Sequence, residues 1–160
     1  LGRRDRCHPE PIALSEALST YLEELQLKEG LAPGVLELAV PPDAVLEFDR
    51  AHLHQVLWNL LSNALRHSRR LPGSVQVAVR PAAGGQVELH IQDDGPGVPA
   101  AVREQVFEPF FTTHSKGTGL GLHIARELCE ANGARLELLE TPAGNGAHFR
   151  ITGRSSRGAG

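Results

Sequence analysis

Leu14, Leu18, Tyr21, Leu22 and Leu25 recur at i, i+4, i+7, i+8 and i+11. That spacing puts them on one helical face. It predicts a helix from about Ile12 to Lys28, stopped by Gly30. A second stripe runs through Leu53, Val56, Leu57, Leu60, Leu61, Ala64 and Leu65. It predicts a helix from Arg50 to Ser68, with Asp49 placed to cap its N-terminus. Elsewhere the period falls to two. Val35–Val40 reads as a strand ended by Pro41-Pro42, and Ala44–Phe48 as a short extended piece. Val75–Arg80 and Gln86–Gln92 alternate across Ala82-Ala83-Gly84-Gly85 and read as a hairpin. A short helical stretch is expected around Ala100–Gln105. Another long helix is expected from Thr118 to Asn132, with Gly133 suited to its C′ position. Arg135–Glu140 and Ala147–Thr152 form a last hairpin pair.

This order predicts an α/β fold: a two-layer α/β sandwich with helices on one face of a mixed sheet. The chain has 160 residues, the size of one domain with a substantial core. Residues 1–11 are polar and proline-containing and read as a linker, 12–152 as the domain, and 153–160 as a disordered tail. The first residue is Leu1, so the expectation is a piece of a longer protein. A net charge of -3 and scattered basic residues give no reason to expect nucleic acid. Only Cys7 and Cys129 are present, with no C-x-x-C, so neither a disulfide framework nor a structural zinc site is expected. A cytoplasmic setting is the default. No apolar run approaches the ~18 residues of a membrane span, although the parent could carry an inner-membrane anchor.

The candidate chemistry lies in three separated elements. On the helix at 50–68, His52, Asn59, Asn63 and Arg66 share one stripe beside the apolar face. An asparagine carbonyl is a hard neutral ligand suited to Mg²⁺ already carrying phosphates, and Arg66 could reach a phosphate oxygen. Asp93-Asp94-Gly95-Pro96-Gly97 directly follows a strand. A carboxylate there can accept a hydrogen bond from the exocyclic amine of adenine, which guanine lacks at that position. Gly95 and Gly97 permit a tight turn and close ligand approach. The run Lys116-Gly117-Thr118-Gly119-Leu120-Gly121-Leu122 opens a helix, where free N–H groups and the positive dipole end favour an anion. It lacks the ending of a Walker A loop and the spacing of the dinucleotide fingerprint. Together the three look like one nucleotide site.

At these residues the chain resembles the catalytic domain of sensor histidine kinases. Asn59-Leu60-Leu61-Ser62-Asn63-Ala64 looks like their N-box, the Asp93 segment like the G1 box, Phe107-Glu108-Pro109-Phe110-Phe111 like the F-box, and Gly117–Leu122 like the G2 box. Gly144-Asn145-Gly146-Ala147-His148-Phe149 is a weaker match to the last glycine box. The match covers roughly residues 45–152 in the right order. It implies the Bergerat ATP-binding fold, a mixed, mostly antiparallel sheet with helices on one face, shared with gyrase-type ATPases, Hsp90-type chaperones and MutL-type proteins. By resemblance Asn63 is the Mg²⁺ ligand, with Asn59 assisting near metal and phosphates. Asp93 binds the adenine amine, and Gly97 passes close to the base with Val98 beside it. Arg66 and His67 match the basic–aromatic pair after the N-box. Phe110, Thr112, Thr113 and Lys116 border a short ATP lid between Phe111 and Gly117. Such a lid resembles that of nitrogen-regulatory and pilus-regulatory sensor kinases. His67 replaces the commoner tyrosine, Ala147 a threonine and His123 a small residue.

The resemblance also separates the possible ATP chemistries. The ATP-hydrolysing relatives place a glutamate base where Asn59 stands, and an amide is a poor base toward water. A histidine nucleophile needs no such base, so the domain's task becomes positioning and charge neutralisation. No histidine here has the context of a phosphoacceptor. The expected activity is therefore protein-histidine kinase catalysis toward a separate phosphoacceptor and dimerisation domain, in a homodimeric parent that passes phosphate to a response regulator. An anti-sigma-type serine kinase and a non-catalytic nucleotide-sensing module of the same fold stay open.

Overall fold

The computed structural model describes residues 7–111, 120–142 and 145–155. The predicted order of elements is present, with shifted ends. Strand β1 (Pro9–Ala13) precedes helix α1 (Leu14–Glu29), followed by β2 (Leu36–Ala39) and β3 (Val45–Asp49). Helix α2 (Arg50–His67) leads to the hairpin β4 (Val75–Ala82) and β5 (Gln86–Asp93). A 3₁₀ segment (Ala100–Gln105) comes next, then α3 (Gly121–Ala131), β6 (Arg135–Leu139) and β7 (His148–Arg154).

Five strands form one sheet in the order β2-β4-β5-β7-β6. The β2–β4 pairing is parallel and the other three are antiparallel, as expected for a mixed, mostly antiparallel sheet. Strand parity decides the two faces. Val75, Val77 and Val79 pair with Asp93, Ile91 and Leu89, which places all six on one side. Leu89 and Ile91 in turn oppose Ile151 and Phe149. This side shares one core with the buried stripes of α1 and α2 and with Ala125 and Cys129 of α3. The opposite face is polar. There Arg150 pairs with Glu137 at 2.8 Å, and Glu88 meets His90 at 2.9 Å.

Three of the shifted boundaries change the architecture. Helix α1 begins at Leu14 and not at Ile12, because residues 9–13 pair antiparallel with β3. That lead-in supplies a buried core residue, Ile12. Its two prolines are tolerated because β1 is an edge strand. Helix α3 begins at Gly121, three residues later than expected, after Leu120 in the N-cap position. At the other end Gly153 and Arg154 belong to β7 and pair with Val87 and Gln86, so the ordered chain extends past Thr152.

The expected caps are present. The Asp49 carboxylate accepts the His52 N–H at 3.0 Å, which satisfies an otherwise orphaned donor of the first turn of α2. At the end of α3, Gly133 has φ +70°. Its N–H donates to the Glu130 carbonyl, and the Ala134 N–H reaches back to Cys129, the paired bonds of a Schellman stop. This stop turns the chain directly into β6.

Candidate nucleotide site

Helix α2 crosses the core face of the sheet near the end of β5. Its polar stripe and the turn after Asp93 enclose a cavity of ≈ 280 Å³. Trp58, Asn59, Ser62, Asn63, Arg66 and His67 form the α2 wall, and Asp93 with Gly97–Pro99 the opposite wall. Val102, Val106 and Phe111, Gly121 and Leu122 of α3, Ala147 just before β7 and Phe149 within it complete the lining.

Asp93 continues the inward series Leu89, Ile91, so a carboxylate occupies an apolar register position. It is only 4% exposed. One oxygen, Oδ1, accepts the Gly95 N–H at 2.8 Å and the Ala147 N–H at 3.3 Å, while the Asp93 N–H donates to the Ala147 carbonyl. Among the described residues no hydrogen bond engages Oδ2. Burial raises the Asp93 pKa above the ordinary carboxylate value, partly offset by those two N–H groups. A buried carboxylate with one oxygen held and one unoccupied is a strong acceptor for a ligand amine.

Two glycines make this arrangement possible by close approach. A Cβ on Gly146 would lie 1.9 Å from the Asp93 carbonyl oxygen, at a φ of +76°. One on Gly95 would lie 2.3 Å from the His67 carbonyl oxygen. No side chain fits either gap. Gly95 therefore packs the turn against the end of α2 and does not line the cavity, whereas Gly97 does. The neighbouring Asp94 turns away. It accepts Ser74 Oγ at 2.6 Å and the Arg69 N–H at 2.9 Å.

The α2 wall has a different character. Asn59 is already engaged: its amide donates to the Gly121 carbonyl at 3.0 Å and its oxygen accepts from Gln55 at 2.9 Å. It thus ties α2 to the first residue of α3. Asn63 and Arg66 line the same wall and have no side-chain partner among the described residues. His52 shares the helical stripe but lies outside the cavity, where Nδ1 meets the Asn132 amide at 3.1 Å.

Of the other expected site residues, Val98, Gly121 and Leu122 line the cavity. Phe110 does not: it is 74% exposed with φ +67°, and its neighbour Phe111 takes the place in the wall. Leu120 caps α3 without lining the cavity. Thr112, Thr113, Lys116, Gly117, Thr118 and Gly119, with the rest of the expected lid, lie outside the described residues. Among the residues missed from sequence, Trp58 and Ser62 were recoverable from helical spacing, since both share the Asn59–Asn63 face. Ala147 and Phe149 lie in the run that weakly matched the last glycine box, but their place in the cavity depends on the non-consecutive β5–β7 pairing.

A two-layer sandwich with a buried acceptor at a strand end and an amide–guanidinium wall defines an ATP-binding domain. The chain belongs to the family described as histidine kinase-, DNA gyrase B-, and HSP90-like ATPase, which it matches over residues 48–156. Its similarity lies with sensor kinases within that family. It is 40% identical to the sensor protein kinase PilS of Pseudomonas aeruginosa over 95% of this chain and 29% of that protein. It is 34% identical to the nitrogen regulation protein NtrY of Azorhizobium caulinodans over 90% of this chain and 20% of that one. The mycobacterial sensor histidine kinase MprB superposes with a TM-score of 0.78 at 29% identity, covering 92% of this chain and 98% of that one. The chain spans less than a third of these curated relatives.

Proposed function

We propose that this domain binds Mg·ATP and presents the γ-phosphate to a histidine on a separate phosphoacceptor domain of its parent protein. The observation that carries this reading is the buried Asp93 carboxylate sharing one cavity with Asn63 and Arg66, which have no side-chain partner among the described residues. In this reading Asp93 Oδ2 accepts the adenine 6-amine, and Gly97, Val98 and His67 flank the base. Arg66 takes a phosphate oxygen. Asn63 has the hard neutral oxygen that suits Mg²⁺. The metal, when bound, supplies charge neutralisation across the phosphates. Asn59 holds α3 against α2, and α3 offers its N-terminal dipole to the phosphates.

Residue 59 separates this reading from hydrolysis. A side chain that donates its amide to the Gly121 carbonyl is no base for water, so ATP is held for transfer. The parent is then a two-component sensor kinase, with this catalytic domain running from β1 to β7, a dimeric phosphoacceptor domain joined through the segment before β1, and a response regulator downstream. Similarity to PilS and NtrY supports that assignment. Incubation with γ-labelled ATP and an added phosphoacceptor domain tests it. Acid-labile, base-stable label on the acceptor is the expected result. Acid-stable label on serine, or rapid release of phosphate by this chain alone, would overturn the reading.

A further inference from the structure

A second group of chemistry-bearing side chains lies outside the nucleotide cavity, where the chain enters the domain. Cys7 precedes β1, Asp49 ends β3, and His52 lies in the first turn of α2. Their ligand atoms all fall within 4.8 Å of one another. Asp49 is buried and the other two are half-buried. In sequence Cys7 is remote from the other two, so no spacing motif reveals the cluster. Pairing of β1 with β3, with Pro9 opposite Asp49, brings them together.

We propose that Cys7, Asp49 and His52 form a binding site for a borderline divalent metal such as zinc. The donor set is one thiolate, one carboxylate and one imidazole, the ligand types zinc prefers. A tetrahedron with zinc bond lengths of ~2.0–2.3 Å has edges of ~3.3–3.8 Å, so the three atoms need only a small inward movement. His52 Nδ1 accepts from the Asn132 amide at 3.1 Å, which leaves the proton on Nε2; a metal at Nδ1 takes over that one lone pair and displaces the Asn132 amide. Each Asp49 oxygen accepts one backbone N–H, from His52 at 3.0 Å and His8 at 2.9 Å, and retains a second lone pair. Cys7 Sγ donates its thiol proton to Asn132 Oδ1 at 3.3 Å, a bond given up when the thiolate forms. The Cys7 and Asp49 charges together balance a dication.

The metal would bind as the thiol loses its proton to solvent, with no change of oxidation state. Burial and the Asp49 carboxylate keep Cys7 a thiol without metal, so affinity should rise with pH. The bound ion would pin the incoming segment to the β3–α2 corner, beside the end of α3.

Titration of the nucleotide-free chain with Zn²⁺ against a chromophoric chelator, in excess Mg²⁺, tests the proposal. Co²⁺ substitution reports the ligands. One equivalent should bind, with a thiolate-to-cobalt charge-transfer band. C7S should abolish that band, and C7S and H52Q should each weaken zinc by more than the ~10–100-fold typical of losing an outer-shell partner. H52Q leaves the backbone cap of α2 in place, and far-UV circular dichroism confirms that each variant is folded. No stoichiometric binding, no thiolate band, or equal zinc affinity in wild type and both folded variants would overturn it.

Discussion

The two walls of the cavity are built in different ways. On the Asp93 side, backbone does the work: Gly95, Ala147 and Gly146 close around one carboxylate, with gaps that admit no Cβ. On the Asn63–Arg66 side, side chains extend from one helix, and no described residue holds these two. The first wall is complete when the fold is complete. In the proposed function the second is completed by a ligand. A base is flat and rigid and rewards a preformed acceptor. A triphosphate with its metal is flexible and highly charged, and is better met by groups that can adjust. On that proposal, damage at the first wall should cost fold and binding together, and at the second binding alone.

The largest effect is expected from Gly146→Ala. The added methyl overlaps the Asp93 carbonyl, and the residue sits at positive φ. Steric overlap and backbone strain should together cost about 3 kcal/mol or more. Urea denaturation should show a lower midpoint, and nucleotide binding should fall with it. A variant with wild-type stability would break the claim that the Asp93 wall is part of the fold.

Arg66→Ala and Asn63→Ala sharpen the opposite side. Neither side chain holds other described residues together, so stability should change by less than about 0.5 kcal/mol. Affinity for Mg·ATP should fall by about tenfold, as expected for losing one charge-assisted contact at an exposed site. Loss of stability matching the loss of binding would erase the contrast.

The smallest effect separates the adjacent carboxylates by pH. Although burial pushes Asp94 up, its bonds from Ser74 and Arg69 hold it below the ordinary value of 3.8. Its stabilisation is therefore present above that value and lost as pH falls through the lower folded pKa. Asp94→Asn should destabilise by about 1 kcal/mol at neutral pH, and the gap to wild type should close in acid. Asp93, raised by burial, has the opposite sign: between its unfolded and folded values, stability grows as pH falls. Removing its charge by Asp93→Asn should flatten that part of the curve. Stability measured from pH 3 to 7 checks both.

Much of this contrast was legible in the sequence. Helix α2 announced itself through its apolar stripe, and Asn59, Asn63 and Arg66 through their place beside it, because helical spacing is local. Asp93 and the turn glycines were legible as a motif. The reason for Gly146 was not, since it lies in the closure of β7 over the end of β5, a pairing 53 residues apart (Asp93 to Gly146). The β1 strand was hidden by its prolines, which are compatible with an edge but argue against a strand interior. The separate roles of Phe110 and Phe111 rest on a positive φ at Phe110 that no residue pattern signals. His52 shows the converse error: helical spacing put it with the asparagines, but the end of α3 took it elsewhere.

The central claim is that Asp93 reads the adenine amine. The most direct measurement is calorimetric affinity for ATP and for purine riboside triphosphate, which lacks the 6-amino group, in wild type and Asp93→Asn. A hydrogen bond to a charged acceptor is worth ~1.5–3 kcal/mol. Wild type should therefore prefer ATP by roughly tenfold to over a hundredfold, and the variant should lose most of that preference while staying folded. An equal ATP preference in both proteins would contradict the account.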